Sequence, residues 1–197
     1  MTQTNPALAL PPERLAPGSA RPLDFEAVYA ECFDMVWRYV SFRVPRAMQD
    51  DVVQEIFLVV HQRLSSFEGR SSVRAWVAGV ARNVVRDQLG RVANRSLGAP
   101  LVSEPATHDD PGGAIDRKRA ADLVEEALGK MSDEQRDAFL LLEVEELSSR
   151  EAAEVLGVND STLRSRLRAA REVLTAAIGR FRAREGRVTG QRGGGHD

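Results

Sequence analysis

The chain has 197 residues, of which 28% are charged and 43% hydrophobic, and a net charge of −2. That is the balance of a soluble globular protein with room for one ordinary domain or two small helical ones. No apolar run is long enough to cross a bilayer and no apolar segment follows a basic start, so the chain is expected to stay in the cytoplasm where it is made.

Cys32 is the only cysteine, which excludes an internal disulfide and suits a reducing compartment. His61, His108 and His196 are far apart, so neither cysteine nor histidine spacing supports a metal site. There is no glycine-rich phosphate loop opening a helix and no nucleophile elbow. No catalytic residue, metal, cofactor or small-molecule substrate is expected.

In chain order, residues 1–22 are rich in Pro and Ala without apolar periodicity and read as a disordered tail. In the block 23–95, Phe25, Val28, Cys32, Met35, Val36 and Tyr39 recur at helical spacing behind Asp24, a plausible N-cap. Pro45 breaks that helix. Val52, Val53, Ile56, Val59, Val60 and Leu64 form a second stripe. After the turn-like Phe67-Glu68-Gly69, a third runs through Val73, Trp76, Val77, Val80, Val84 and Leu89. Trp37 and Trp76 sit on these stripes and read as core. Residues 96–115, with Gly98, Pro100, Pro105, Pro111, Gly112 and Gly113, read as a flexible linker.

The block 116–183 opens with a helix over Ala120–Leu128. Ser132 with Gln135 and Ser148 with Glu151 resemble capping boxes that start two more. A short helix to Leu156, a turn at Gly157 and a long helix capped by Asn159 through Phe181 make the helix-turn-helix pattern; a plain helical hairpin is the alternative. Residues 184–197, rich in Gly and Arg, read as a second disordered tail. The expected fold is all-α: two small helical domains on a flexible linker, the C-terminal one a helix-turn-helix.

Charge is unevenly distributed. Residues 161–197 hold nine arginines and three acids, residues 103–146 thirteen acids and five bases, and residues 68–95 six arginines and two acids. Such blocks suggest different partners for different surfaces. On the last helix Leu163, Leu167, Ala170 and Leu174 form a core stripe, with Arg164, Arg168 and Arg171 beside it at i, i+4 and i+7. A solvated face usually mixes signs, yet every charged residue from Ser161 to Arg171 is arginine. The planar guanidinium fits guanine's two major-groove acceptors or a phosphate.

The stretch DEQRDAFLLLEVEELSSREAAEVLGVNDSTLRSRLRAARE (Asp133–Glu172) resembles the C-terminal domain of extracytoplasmic-function sigma factors, the minimal members of the sigma-70 family. DDVVQEIF (Asp50–Phe57) is similar to the family's polymerase-binding helix, and SSFEGRSSVRAWVAGVARN (Ser65–Asn83) to its −10 reading and melting segment. The linker leaves no room for the extra domain of larger sigma factors. The resemblance implies a subunit that binds core RNA polymerase and directs promoter-specific initiation, contacting double-stranded and melted promoter DNA. It also implies an anti-sigma factor as a partner.

Asp50, Asp51, Gln54 and Glu55 share one sector of the second helix, nearly opposite Val53, Ile56 and Val60. The resemblance docks this sector on the polymerase; an ordinary solvated face is the other reading. By the same resemblance Ser66, Phe67, Glu68, Gly69, Arg70 and Ser71, with Arg82, Asn83 and Arg86, meet the −10 element. Phe67, the loop's only aromatic, either stacks on an exposed base, worth about 1–3 kcal/mol, or plugs the core. Arg91 is a further candidate backbone contact. Asn159, Asp160, Ser161, Thr162, Arg164, Ser165, Arg168 and Arg171 are the implied −35 readers. Arg168-Ala169 departs from the family's usual pattern, as does Val73, where an aromatic is common.

About twenty linker residues reach roughly 65 Å extended and about 25 Å as a relaxed coil. This lets two modules grip sites more than one duplex turn, about 34–36 Å, apart. An independent helix-turn-helix regulator accounts for the second block but not for DDVVQEIF. A helical enzyme has no convergent acid–base set, and a sigma mimic lacks room for a receiver domain.

Overall fold

The computed structural model describes residues 23–95 and 123–191, so the expectations for residues 1–22, 96–115 and 192–197 and for the start of the helix at Ala120 lie outside the described residues. Among the described residues every regular element is helical. The first module comprises α1 (Phe25–Ser41), α2 (Arg46–Arg63) and α3 (Val73–Arg95), with a short 3-10 turn at Leu64–Ser66. The second holds α4 (123–129), α5 (Asp133–Phe139), α6 (Ser149–Leu156) and α7 (Asp160–Gln191).

Local chemistry sets most boundaries. The Asp24 carboxylate accepts from the Glu26 amide at the start of α1, and Pro45 stands immediately before α2. Ser132–Gln135 and Ser148–Glu151 both close reciprocal capping boxes, satisfying amides that a helix start leaves unpaired. Gly157, at φ 64°, ends α6 in the left-handed conformation that favours glycine. Asn159 Oδ1 accepts from the Thr162 amide at 2.8 Å to start α7. That helix continues to Gln191 rather than ending before Arg184; its later glycines stand singly among helix-tolerant residues, each costing only about 1 kcal/mol.

After α5 the chain widens into a π turn over Leu140–Val144, closed by Glu145 N–H donating to Leu140 C=O at 2.9 Å. Glu146 then takes φ 54°, an uncommon conformation for a residue with a Cβ. Together these turn Glu145 inward, where it is buried.

The two modules share one hydrophobic core. Leu141 lies among Met35, Val36 and Tyr39 of α1 and Ala78 and Ala81 of α3, and α6 packs on α3. Phe42 also touches the smaller cluster of Leu128, Met131 and Ala170. Fully burying a leucine such as Leu141 contributes about 1.5–3 kcal/mol. The two helical modules are packed face to face. Trp37 departs from the sequence reading too: it is half-exposed on the outer face of α1, whereas Trp76 packs against the core.

Candidate functional site

On α2, Asp50, Asp51 and Gln54 are exposed while Val53, Ile56 and Val60 are buried, the two-sided helix the sequence describes. Glu55 is half-buried and already engaged by α3: it accepts from Gln88 Nε2 and lies 3.9 Å from Arg91 Nη1. Beside this face runs an apolar groove of about 520 Å³, with Phe25, Tyr29, Phe33 and Trp37 from α1, Phe57 and Leu58 from α2, and Asp50 and Gln54 at its edge. Leu58 is 54% exposed. The sequence reading passed over this groove, although the four α1 aromatics stand at strict i, i+4 intervals and spell a second apolar stripe.

The loop before α3 is held by its own residues. The Ser66 hydroxyl donates to Arg63 C=O at 2.7 Å, Glu68 pairs with Arg70, and Gly69 takes φ 68°. Phe67 is half-buried, with its ring 5.3 Å from that of Trp76. Ser71 is half-buried. Asn83 and Arg86 are exposed on α3. Arg82 is not: its side chain is 19% exposed and its Nε donates to Asp137 Oδ2 of the second module at 3.1 Å.

On α7, Ser161, Arg164, Ser165 and Arg168 face outward and Thr162 is half-buried. Arg164 pairs with Asp160 at 2.7 Å and Arg168 with Glu172 at 3.8 Å, both at i, i+4 spacing with well-exposed side chains. Such pairs contribute about 0.3–0.5 kcal/mol and yield readily to a phosphate. Arg171 reaches back to Glu143 at 2.5 Å. Asn159 serves as the helix cap, so among the −35 candidates its side chain has a structural task already.

Between the modules lies a network that sequence reasoning missed. Asp137 is buried; its Oδ1 accepts from the Tyr39 hydroxyl at 2.8 Å and lies 3.2 Å from Arg43 Nε, while Oδ2 takes Arg82. The Arg43 contact is an ion pair without hydrogen-bond alignment, so Nε is buried and unbonded, while Nη1 donates to Asp133 at 2.7 Å. Glu145 accepts a two-point grip from Arg38, at 3.1 and 2.7 Å, with Arg74 at 3.7 Å. Ser72 donates to Glu151 at 2.5 Å. The basic and acidic stretches, expected to address different partners, thus partly address each other. Burial drives the Tyr39 phenol far above its ordinary range, with Asp137 adding to the effect. Burial likewise pushes the Cys32 thiol up to about 11, leaving it an inert core group.

The Arg43 hydrogen bond lowers the Asp133 carboxyl from its ordinary 3.8, and bonds from Ser148 and Ser72 lower Glu151 from 4.5. A carboxylate depressed on folding stabilises the native form fully above its unfolded pKa, and that contribution is lost as pH falls through the lowered one. The thermal midpoint is therefore expected to drop as pH falls below about 4.5, and Asp133→Asn to flatten part of that drop. An Asp133→Asn profile superimposable in slope on the parent would remove this residue from the account.

Comparison with known proteins follows the same division. The family description "Sigma-70 region 2" matches residues 28–95 and "Sigma-70, region 4" residues 121–174. The ECF RNA polymerase sigma factor SigC of Mycobacterium tuberculosis is 35% identical over 167 residues, covering 82% of this chain and 85% of SigC. This chain belongs to the sigma-70 family. Its fold agrees with that placement. The sigma factor RpoE of Bartonella quintana, solved with the anti-sigma factor NepR, superposes with a TM-score of 0.68 at 26% identity, covering 79% of this chain and 97% of RpoE. CnrH, solved with the cytosolic domain of CnrY, gives 0.60 at 25%, covering 79% and 87%. Sigma factors regulate transcription rather than catalyse reactions. No helix among the described residues of this sigma factor is long and apolar enough to cross a membrane.

Proposed function

We propose that this chain is a promoter-specificity subunit that binds core RNA polymerase through Asp50, Asp51 and Gln54, with Glu55 anchoring that face to α3. It directs initiation by reading two promoter elements. The loop Ser66–Ser71, Arg82, Asn83 and Arg86 meet the −10 element, and Ser161, Thr162, Arg164, Ser165, Arg168 and Arg171 meet the −35 element. The division at 23–95 and 116–183 assigns one task to each module. The chain acts in the cytoplasm, without catalytic residues, and is held in check by an anti-sigma factor, as the likeness to RpoE with NepR suggests.

The observation that carries this reading is the pairing, on one chain, of an exposed acidic helix face with a helix-turn-helix whose second helix exposes Arg164, Arg168 and Arg171 along one stripe. A specificity subunit needs little DNA affinity alone, because the polymerase supplies most of the grip; the net charge of −2 fits that economy. Purified chain added to core polymerase is expected to give transcription from a discrete set of start sites, the same set that rises when the chain is overproduced. A chain that neither associates with core polymerase nor changes its start sites overturns the assignment.

A further inference from the structure

Among the described residues the large hydrophobic side chains left exposed are Leu23, Tyr29, Trp37 and Leu58. Tyr29, Trp37 and Leu58 line the groove between α1 and α2, and Leu23 stands two positions before Phe25 of the same groove. Exposed apolar surface gathered in one place marks a binding site. The sequence ahead of Leu23 holds matching chemistry. Residues 1–22 contain five of the chain's nine prolines, and the run from Ala7 to Pro17 joins Leu8, Leu10 and Leu15 to Pro11, Pro12 and Pro17.

We propose that the segment Ala7–Pro17 docks in the α1–α2 groove of its own chain and so competes for the edge formed by Asp50 and Gln54. The competition rests on the reading of that edge as the polymerase contact; the docking does not.

Three arguments carry the docking. The first is reach. The thirteen residue steps from Leu10 to Leu23 extend to about 43 Å and cover about 20 Å as a relaxed coil. The groove from Phe25 to Trp37 follows only about 18 Å of helix. The segment therefore reaches every part of it.

The second argument is shape. Phe25, Tyr29, Phe33 and Trp37 form a ladder of rings along α1. Aromatic-lined grooves take proline-rich segments, which are stiff before binding and lose little freedom on docking. The third is charge. The groove's lining holds one carboxylate, Asp50, and neither lysine nor arginine. Residues 1–22 carry Arg14 and Arg21 against Glu13 alone, so the segment brings cations to an acidic edge. Tethering makes even weak docking effective. A short linker gives an effective concentration of about 1 mM, so an intrinsic affinity of only about 0.1 mM keeps the groove covered about nine-tenths of the time.

Trp37 reports occupancy in the full chain, since it lines the groove while the other tryptophan, Trp76, packs against the core. Leu8→Asp with Leu10→Asp is expected to raise quenching of tryptophan fluorescence by acrylamide at least about twofold, because a groove covered about nine-tenths of the time becomes open. Unchanged quenching overturns the docking. A second measurement is a crosslink. Leu10→Cys with Leu58→Cys is expected to form a disulfide under mild oxidation well ahead of Leu10→Cys with Asp87→Cys, position 87 being exposed on α3 outside the groove. The native Cys32 is buried and does not compete. Equal rates for the two pairs overturn the docking. A parent chain that is dimeric by light scattering, with Trp37 protection lost on dilution, assigns the groove to a second copy and overturns it as well.

The competition is read separately. Core polymerase is expected to bind the Leu8→Asp, Leu10→Asp variant about tenfold more tightly than the parent, whose groove is open only about one-tenth of the time. Equal affinity overturns the competition. Absence of polymerase association by either chain defeats the sigma reading itself, and the quenching result still decides the docking.

Discussion

Asp51→Ala combined with Gln54→Ala is expected to weaken binding to core polymerase by at least about tenfold, or about 1.4 kcal/mol, with little change in thermal midpoint. The two parts of that expectation come from the same geometry. Both side chains are exposed on α2 and neither takes part in the contact between modules, so their removal opens no cavity and strands no buried partner. Whatever they contribute appears only when another surface covers them. At a protein interface a few desolvated polar groups beside an apolar surface carry much of the affinity, and Asp50 and Gln54 edge the aromatic groove of α1 and α2. Glu55→Gln should act differently, because Glu55 is tied to Gln88 and Arg91: it loosens α2 from α3 as well as weakening binding. Surface-immobilised core polymerase with the chain in solution gives the affinity, and a melting curve gives the stability. Undiminished binding by the double variant would remove α2 from the polymerase contact.

Much of the helical architecture was legible because its causes are local. Asp24, Pro45, Ser132, Ser148, Gly157 and Asn159 each act on amides or carbonyls within a few positions, and all stand where the sequence places them. The contact between modules was not legible, since its causes lie far apart: Tyr39 and Asp137 are 98 positions from each other. In sequence Asp137 and Glu145 look like ordinary solvated acids. Only the folded chain shows that the π turn and the left-handed Glu146 carry Glu145 inside, where Arg38 compensates a charge that would be costly to bury alone. Leu140-Leu141-Leu142 reads as a plain continuation of α5, and nothing in that run announces a widened turn. Trp37 misled for a related reason. It falls at helical spacing from Phe33, but on the groove stripe and not on the core stripe of Val36 and Val40.

The same distinction between local and distant causes bears on the recognition helix, where Arg164→Ala is expected to lower transcription from a cognate promoter by about 5- to 150-fold, the range of one good bidentate pair, about 1–3 kcal/mol. Arg164 stands in the first turns of α7, exposed, tethered only to Asp160 four positions before it. Its neighbour on that stripe, Arg168, is held by Glu172 at 3.8 Å. Neither pair is buried, so the fold loses almost nothing on truncation, and any loss of promoter use reports DNA contact. Two contact types separate by their dependence on salt and sequence. If Arg164 grips guanine, the variant loses discrimination between the cognate promoter and one altered at a single base of the −35 element, whatever the ionic strength. If it grips a phosphate, both promoters weaken alike and the slope of log affinity against log salt falls by about one. Its position near the N-terminus of α7 favours the base edge, since recognition helices enter the major groove by their N-terminal residues. Arg168, one turn later, is expected to show the salt-dependent behaviour. Unchanged use of the cognate promoter by Arg164→Ala would mean that α7 presents a different face to DNA.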